Sequence, residues 1–522
     1  MSKAAFGSLI LAALVLALAG RLSGLDRRPM HHDEANQAVK FGALLETGEY
    51  RYDSNDHHGP TLYYLTLPFA WARGQTTLAS LDEWTIRAVP AFFGAALILF
   101  FPLLASGLGR PAAAAGALLA AISPALTYFG RFYIQESLFV WFAVGFLVAL
   151  GHYVQRPGTV AAIWAGVFAG LAYATKETSV IVLAAALVAA FVAHRLAVAS
   201  SGGGTSESRV GSSVRTGHAI AALTAALAVA WMFYSSFFIY PSGLLESINA
   251  FSIYVERGVT PGPHGERWDY YLRLFAFSSS SSWGGLVWTE GLVLLLALVG
   301  LVAAFRRSSS GFWPRYVALY SMIAAVAFSV IPYKTPWNAL PFYAGVVMVA
   351  GFGATTLIGR AKSRLGKGLV VLACLAACGH LGVQSWRANG RYSADPRNPY
   401  VYAQTSPDFL RLVARINDLA VLHPDRARML VKVVAGPYEQ WPLPWYLRRM
   451  VRVGYWPRAE DAGRLDDAAV VVASQENAAA VDAALGDRYV SEFYGLRPDV
   501  ILTISIERGL WERLLASRRP GT

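Results

Sequence analysis

Residues 4–22, AAFGSLILAALVLALAGRL, stay apolar for the length of a bilayer crossing, and residues 30–36, MHHDEAN, follow them with two acids and two histidines. A helix of about 20 apolar residues spans a hydrocarbon core of roughly 30 Å. Paired acids at a membrane edge are costly unless they bind or react with something, so Asp33 and Glu34 are the leading candidates for a site. A second group, Asp56-His57-His58-Gly59-Pro60, follows closely.

Working outward, the same pattern recurs along the chain. It has 522 residues, of which 55% are hydrophobic and 15% charged, and a mean hydropathy of +0.40. That is too apolar for a soluble protein of this size and predicts a polytopic, α-helical membrane protein. In all, about eleven apolar runs are long enough to cross a bilayer. After the first they centre near 84–105, 112–129, 134–152, 159–174, 178–195, 218–239, 284–304, 316–331, 338–358 and 368–385. Residues 60–72 (PTLYYLTLPFAWA) are apolar but short and carry two prolines, which predicts an interfacial or re-entrant helix. The start also resembles a signal peptide, through Lys3 and Ala17-Leu18-Ala19, although the further spans favour a retained helix.

The net charge of +12 falls in short loops between spans, where it sets orientation and gives no footprint for nucleic acid. Alternate connections hold Arg110, Arg156, Arg195 with Arg209 and Arg215, Arg306 with Arg307 and Arg315, and Arg360 with Lys362, Arg364 and Lys367. Those predict the cytoplasmic side. The other connections, including loops 24–83 and 241–283, then face outward, and the amino terminus faces inward. The two cysteines, Cys374 and Cys378, sit one helical turn apart and suit packing better than a disulfide framework. Residues 200–217, SSGGGTSESRVGSSVRTG, read as a low-complexity linker.

From about residue 387 the pattern changes. Helix-like stretches at 407–422 and 477–485 alternate with strand-like stretches at 429–435, 451–455, 468–473 and 499–507, with a short turn or helix at 441–450. The reading is a transmembrane domain over 1–386 and an extracytoplasmic α/β domain over 387–522.

The chemistry-bearing charges cluster on the predicted outer side: Asp33, Glu34, Arg131, Glu136, Lys176, Glu177 and Lys334. Carboxylates suit sugar hydroxyls as bases or acceptors, and Lys and Arg suit phosphate. Together they describe a site for a sugar carried on a lipid phosphate. His31 and His32, with His57 and His58, have the ligand types for a divalent metal such as zinc or manganese, and they equally suit hydrogen bonds in a sugar pocket.

At these residues the chain resembles the GT-C superfamily of integral-membrane glycosyltransferases, in its protein O-mannosyltransferase-like and aminoarabinose-transferase-like families. HHDEAN (31–36), RFYIQES (131–137) and the Ala-Thr-Lys of YATKET (173–178) match those families, and HHDE with HHGPTLYY (57–64), YATKET, YKTPWN (333–338) and YEQWPLPWYLRR (438–449) looks like the flippase-activity-associated branch. The resemblance implies a first-loop acid, Asp33 with Glu34, as general base and Glu136 as the second acid. It also implies Lys176, with Arg131 and Lys334 behind it, at the donor phosphate. His57, His58 and Glu177 are placed among the substrate contacts. Each residue also has a plainer reading: Asp33 as a helix cap, Glu136 paired with Arg131, Lys176 snorkelling to headgroups. The implied reaction is inverting sugar transfer from a polyprenyl phosphate to a glycan, lipid or protein acceptor in the cell membrane. The alternative is a non-catalytic, flippase-associated protein acting on lipid-linked oligosaccharide.

The basic-loop asymmetry sets a test. Single cysteines near Arg209 and Arg360 are expected to resist an impermeant thiol reagent in intact cells, while cysteines near Asn55, His264 and Asn477 react. Labelling at Arg360 with protection at Asn477 reverses the orientation.

Overall fold

The computed structural model describes residues 1–55, 58–200, 215–259, 265–279, 286–306 and 311–518. Residues 201–214 of the expected linker, and His57, lie outside them.

Among the described residues, eight helices are long and apolar enough to cross a membrane: Lys3–Leu22, Glu83–Leu108, Glu136–Gln155, Ser179–Ser200, Thr216–Tyr234, Phe312–Val330, Pro336–Arg360 and Arg364–Asn389. Three shorter apolar helices, Arg110–Ile122, Thr159–Tyr173 and Gly291–Ala304, fall on the remaining predicted runs. The run read as one span over 112–129 is broken. Ser123 caps a separate helix, Pro124–Phe129, through a bond from the Leu126 amide, and Pro124 has no amide proton to continue the preceding helix. Thr61–Ala72 is a short helix with Thr61, Leu62, Tyr63, Thr66 and Ala70 buried.

Small residues let the spans approach closely. A Cβ on Gly353 would lie 1.8 Å from the Leu296 carbonyl oxygen, and one on Gly300 2.3 Å from that of Val349, so Gly291–Ala304 and Pro336–Arg360 touch backbone to backbone. Gly166 and Gly170 do the same for Thr159–Tyr173 against Thr216–Tyr234. The first helix is tied in through buried Arg21, whose guanidinium donates to the carbonyls of Ala120 at 3.2 Å and Ala121 at 3.4 Å.

The C-terminal part is a five-stranded mixed sheet. Its strands are β1 (Val431–Val434), β2 (Val453–Trp456), β3 (Val470–Ser474), β4 (Tyr489–Arg497) and β5 (Val500–Glu507), in spatial order β2-β1-β3-β5-β4. β1 runs parallel to both β2 and β3, while β5 is antiparallel to β3 and β4. β1 and β3 are buried along their whole length, as their valine-rich sequences, VKVV and VVVAS, favour. Helices Pro407–Leu422 and Arg508–Ser517 cover one face and Gln475–Leu485 the other. Strand β4, the C-terminal helix and an amphipathic helix at Gly243–Val259 were not read from the sequence.

The sheet domain is bolted to the membrane part by the 438–449 motif. Trp445 Nε1 donates to Glu83 at 2.8 Å, Arg448 to the Leu81 carbonyl at 2.7 Å and Arg449 to that of Ala79 at 3.1 Å, while the Met30 amide donates to Tyr446 Oη at 2.9 Å. Buried Glu290 adds a second anchor, accepting from Tyr400 of the tail at 2.9 Å, from Ser123 at 2.8 Å and from Tyr343. Filling the backbone contact at Gly353 tests the span packing: Gly353→Val is expected to cost about 1–3 kcal/mol, read as a lower thermal midpoint in detergent. An unchanged midpoint would mean that these two helices do not pack as described.

Candidate active site

The acidic cluster opens the helix His32–Thr47. Its cap is His31, whose Nδ1 accepts the Asp33 amide at 3.1 Å, while Glu34 accepts the His31 amide at 3.0 Å. Asp33 is therefore not the cap. It lies in the first helical turn with its side chain 42% exposed, one carboxylate oxygen 3.7 Å from His31 Nδ1. With Nδ1 accepting, His31 Nε2 carries the proton and donates to the Tyr402 carbonyl at 3.0 Å. Both ring nitrogens are thus engaged, which removes His31 from the expected metal pair. His32 points elsewhere, its ring 6.1 Å from Tyr438 and 6.0 Å from Trp441. Among the described residues no three His, Cys, Asp or Glu side chains converge as a metal ion requires.

Glu34, expected to share catalysis with Asp33, is instead fully buried inside a cage. Arg87 grips it through Nε and Nη2, both at 2.7 Å, Arg28 reaches it at 3.2 Å, and the Tyr133 amide donates at 2.9 Å. Burial alone would raise this carboxyl; the two guanidiniums reverse that and take it down to about 2. A carboxylate so bound is a poor proton acceptor, and its place is structural. Arg87 extends the cage by donating to the carbonyls of Leu25, Arg28 and Pro29.

Arg131, expected at the donor phosphate, spends its guanidinium on the first helix, donating to the carbonyls of Gly20 and Gly24 at 2.9 Å each. Lys334 likewise donates to the Glu266 carbonyl at 2.9 Å and to that of Ile331 at 2.6 Å, pinning the segment after 264. The structure makes both of them fasteners of backbone.

The remaining charges do meet. Glu136 begins the helix Glu136–Gln155, Lys176 lies between two apolar helices and Asn338 in the first turn of Pro336–Arg360. Lys176 Nζ donates to the Glu136 carboxylate and, at 3.0 Å, to Asn338 Oδ1, all within a small pocket also lined by Phe328 and Trp337. Glu136 thus pairs with Lys176 and not with Arg131. Trp337 joins this pocket to the acidic helix: its ring is 5.8 Å from His31 and 5.5 Å from Tyr402.

A second pair stands beside it. Glu177 accepts from His58 Nδ1 at 3.0 Å and from the His58 amide at 3.1 Å. Burial alone would raise Glu177, but the His58 ring and its hydrogen bond hold it below the usual carboxylate value. The loop is seated by backbone: the Gly59 amide donates to the Thr175 carbonyl at 3.1 Å, and a Cβ on Gly59 would fall 2.0 Å from the Ala174 oxygen. Only glycine fits there. The sequence reading missed Glu290, although an acid directly before an apolar run was its visible signal, and it missed Arg28 and Arg87 as partners of Glu34.

Residues 66–202 match the family model described as dolichyl-phosphate-mannose-protein mannosyltransferase, a segment that contains Arg131, Glu136, Lys176 and Glu177. The fold extends the likeness to the whole chain. ArnT from Cupriavidus metallidurans, solved bound to undecaprenyl phosphate, superposes with a TM-score of 0.62 at 15% identity, covering 98% of this chain and 99% of that one. The chain thus shares the fold of ArnT, and over residues 66–202 it is similar to the mannosyltransferase family. The Archaeoglobus fulgidus oligosaccharyltransferase AglB, solved with an inhibitory peptide and a dolichol-phosphate, matches at a TM-score of 0.57 and 13% identity, over 97% of this chain and 77% of that one. No curated protein sequence matches.

The cage around Glu34 makes a stability prediction with a sign. A carboxyl held at about 2 against an ordinary 4.5 stabilises the fold above pH 4.5 by about 3 kcal/mol, and that contribution is lost as pH falls toward 2. Glu34→Gln leaves two buried guanidiniums uncompensated and is expected to cost about 3–5 kcal/mol. Thermal melts at pH 7 and pH 3 check both: the wild type should lose stability on acidification, and the variant should be weaker at pH 7 with a smaller acid loss.

Proposed function

We propose that the chain transfers a sugar, with inversion, from a polyprenyl-phosphate donor to an acceptor on the outer face of the membrane. The observation that carries this is the Glu136–Lys176–Asn338 group, a buried cation already paired with an acid and lined by Trp337, whose ring lies 5.8 Å from that of His31 at the start of the acidic helix. A lipid phosphate arriving there replaces Glu136 as the partner of Lys176. The leaving phosphate is anionic, so departure needs charge neutralisation more than protonation, and Lys176 supplies it. ArnT and AglB, with undecaprenyl phosphate and a dolichol-phosphate in their structures, support a lipid-phosphate ligand for this fold.

Asp33 is the general base in this reading. Of the two first-loop acids it is the partly exposed one, and it takes the proton of the acceptor hydroxyl as that oxygen attacks the sugar C1 opposite the phosphate. Glu34 and Arg131 are positioning residues, and the Glu177–His58 pair orders the loop that flanks Lys176. The basic loops supply the orientation: amino terminus cytoplasmic, residues 387–522 outside as a separate domain.

Chemistry and binding separate by mutation. Asp33→Asn should lower transfer about 100-fold or more while leaving donor binding in place, whereas Lys176→Ala should weaken donor binding by about 1.5–3 kcal/mol. Turnover of lipid-phosphate sugar by purified protein reads the first, and equilibrium binding of the same donor reads the second. Unchanged turnover in Asp33→Asn with failed lipid-glycan translocation in cells would replace the enzyme by the flippase-associated alternative.

A further inference from the structure

The residue before the base leads away from the donor pocket. His32 is half-buried against the sheet domain, its ring stacked at 28° on Tyr438 and tilted against Trp441. Tyr438 and Trp441 belong to the loop that leaves the carboxyl end of β1, the end at which open parallel sheets hold ligands. Arg497, at the end of β4, closes the group by donating to the Tyr438 carbonyl at 3.4 Å. Glu439 folds back over Gly436, where a Cβ would come within 2.6 Å of its carboxylate, and its charge is felt by Arg497.

The chemistry of this corner is specific. Tyr438 is 70% exposed although it stands among packed rings, so an aromatic face is left open. A cation and an anion flank it. Aromatic faces take the C–H side of a sugar ring, and the guanidinium and carboxylate take its hydroxyls. An anionic headgroup is disfavoured by Glu439 and by Asp33 in the adjacent position, and a bare acyl chain by both charges.

We propose that His32, Tyr438, Trp441, Glu439 and Arg497 form an acceptor subsite for a neutral carbohydrate ring, shared between the acidic helix and the outer domain. The subsite lies beside the base in the chain, since His32 and Asp33 occupy consecutive positions of one helical turn, and Tyr402, which feels the charge of Asp33, packs on Trp337 at the entrance to the donor pocket. The acceptor hydroxyl is thereby presented from the domain side and the donor from the membrane side. This rests on the transferase reading above, and it names the acceptor class as a glycan.

The test uses the full-length protein in lipid nanodiscs and saturation-transfer difference NMR, with trisaccharides of mannose, glucose and N-acetylglucosamine and a serine- and threonine-containing hexapeptide as probes. At least one trisaccharide is expected to receive saturation on its ring C–H protons. Tyr438→Ala and Arg497→Gln should each weaken that binding about five-fold or more, while Lys176→Ala leaves it unchanged. Tyr438 is largely exposed, so its variant should keep the wild-type thermal midpoint; Tyr438→Phe, which retains the ring, should keep binding. The proposal is overturned if no trisaccharide is saturated, if both domain variants bind like wild type, or if the peptide is saturated in place of the sugars. Failure of the donor reading shows separately, as trisaccharide binding without turnover of lipid-phosphate sugar.

Discussion

The cage around Glu34 is the interaction on which the rest depends. A fully buried carboxylate held by two arginines and two backbone amides fixes the segment from Leu25 to Glu34 against the ends of the spans. The same carboxylate completes the cap of the helix that begins at His32, so the direction of that helix, and with it the exposure of Asp33, follows from the cage. In surroundings of low dielectric an ion group of this kind holds only when every donor is in place, which makes it a strict device for setting geometry.

Residues of the same type divide into two kinds of work. Arg131 and Lys334 give their protons to backbone carbonyls and hold connections in place, while Lys176 meets side chains, an acid and an amide, that can yield to a ligand. The acids divide the same way: Glu34 is locked, Glu136 guards a cation, Glu177 steadies His58, and Asp33 reaches solvent. Lys176 unpaired in this pocket would bear the whole desolvation cost of its charge, and Glu136 offsets that.

The sheet domain is part of the site and not an appendage. The Tyr402 carbonyl fixes the His31 tautomer, Tyr446 accepts the Met30 amide, and Tyr438 and Trp441 enclose His32, so three consecutive positions of the acidic segment are read by the tail. Glu290 strengthens the joint from below, binding Tyr400 of the tail together with Tyr343 of a span.

By itself the sequence determined the spans, because a bilayer demands about 20 apolar residues per crossing and tolerates little else, and that demand is local. It determined the buried strands of the tail for a similar reason: the β-branched, valine-rich stretches at 431–434 and 470–474 favour a buried strand. It also brought Asp33, Glu136 and Lys176 forward as candidates, together with Glu34, Arg131, Glu177 and Lys334. Strand β4 escaped because its burial alternates without a strong apolar run, and the break at Ser123 because serine and proline are tolerated in many spans. Only the tertiary structure decided which charge meets which. Glu34 and Arg87 are 53 residues apart, Lys176 and Glu136 40, and Lys176 and Asn338 162. No periodicity reaches across such distances. Pairing depends on which helix ends are brought together, and that is set by glycine-mediated span packing and by the docked tail, so two arginines and two glutamates of like appearance in the sequence become fastener, clamp, guard and brace in the fold.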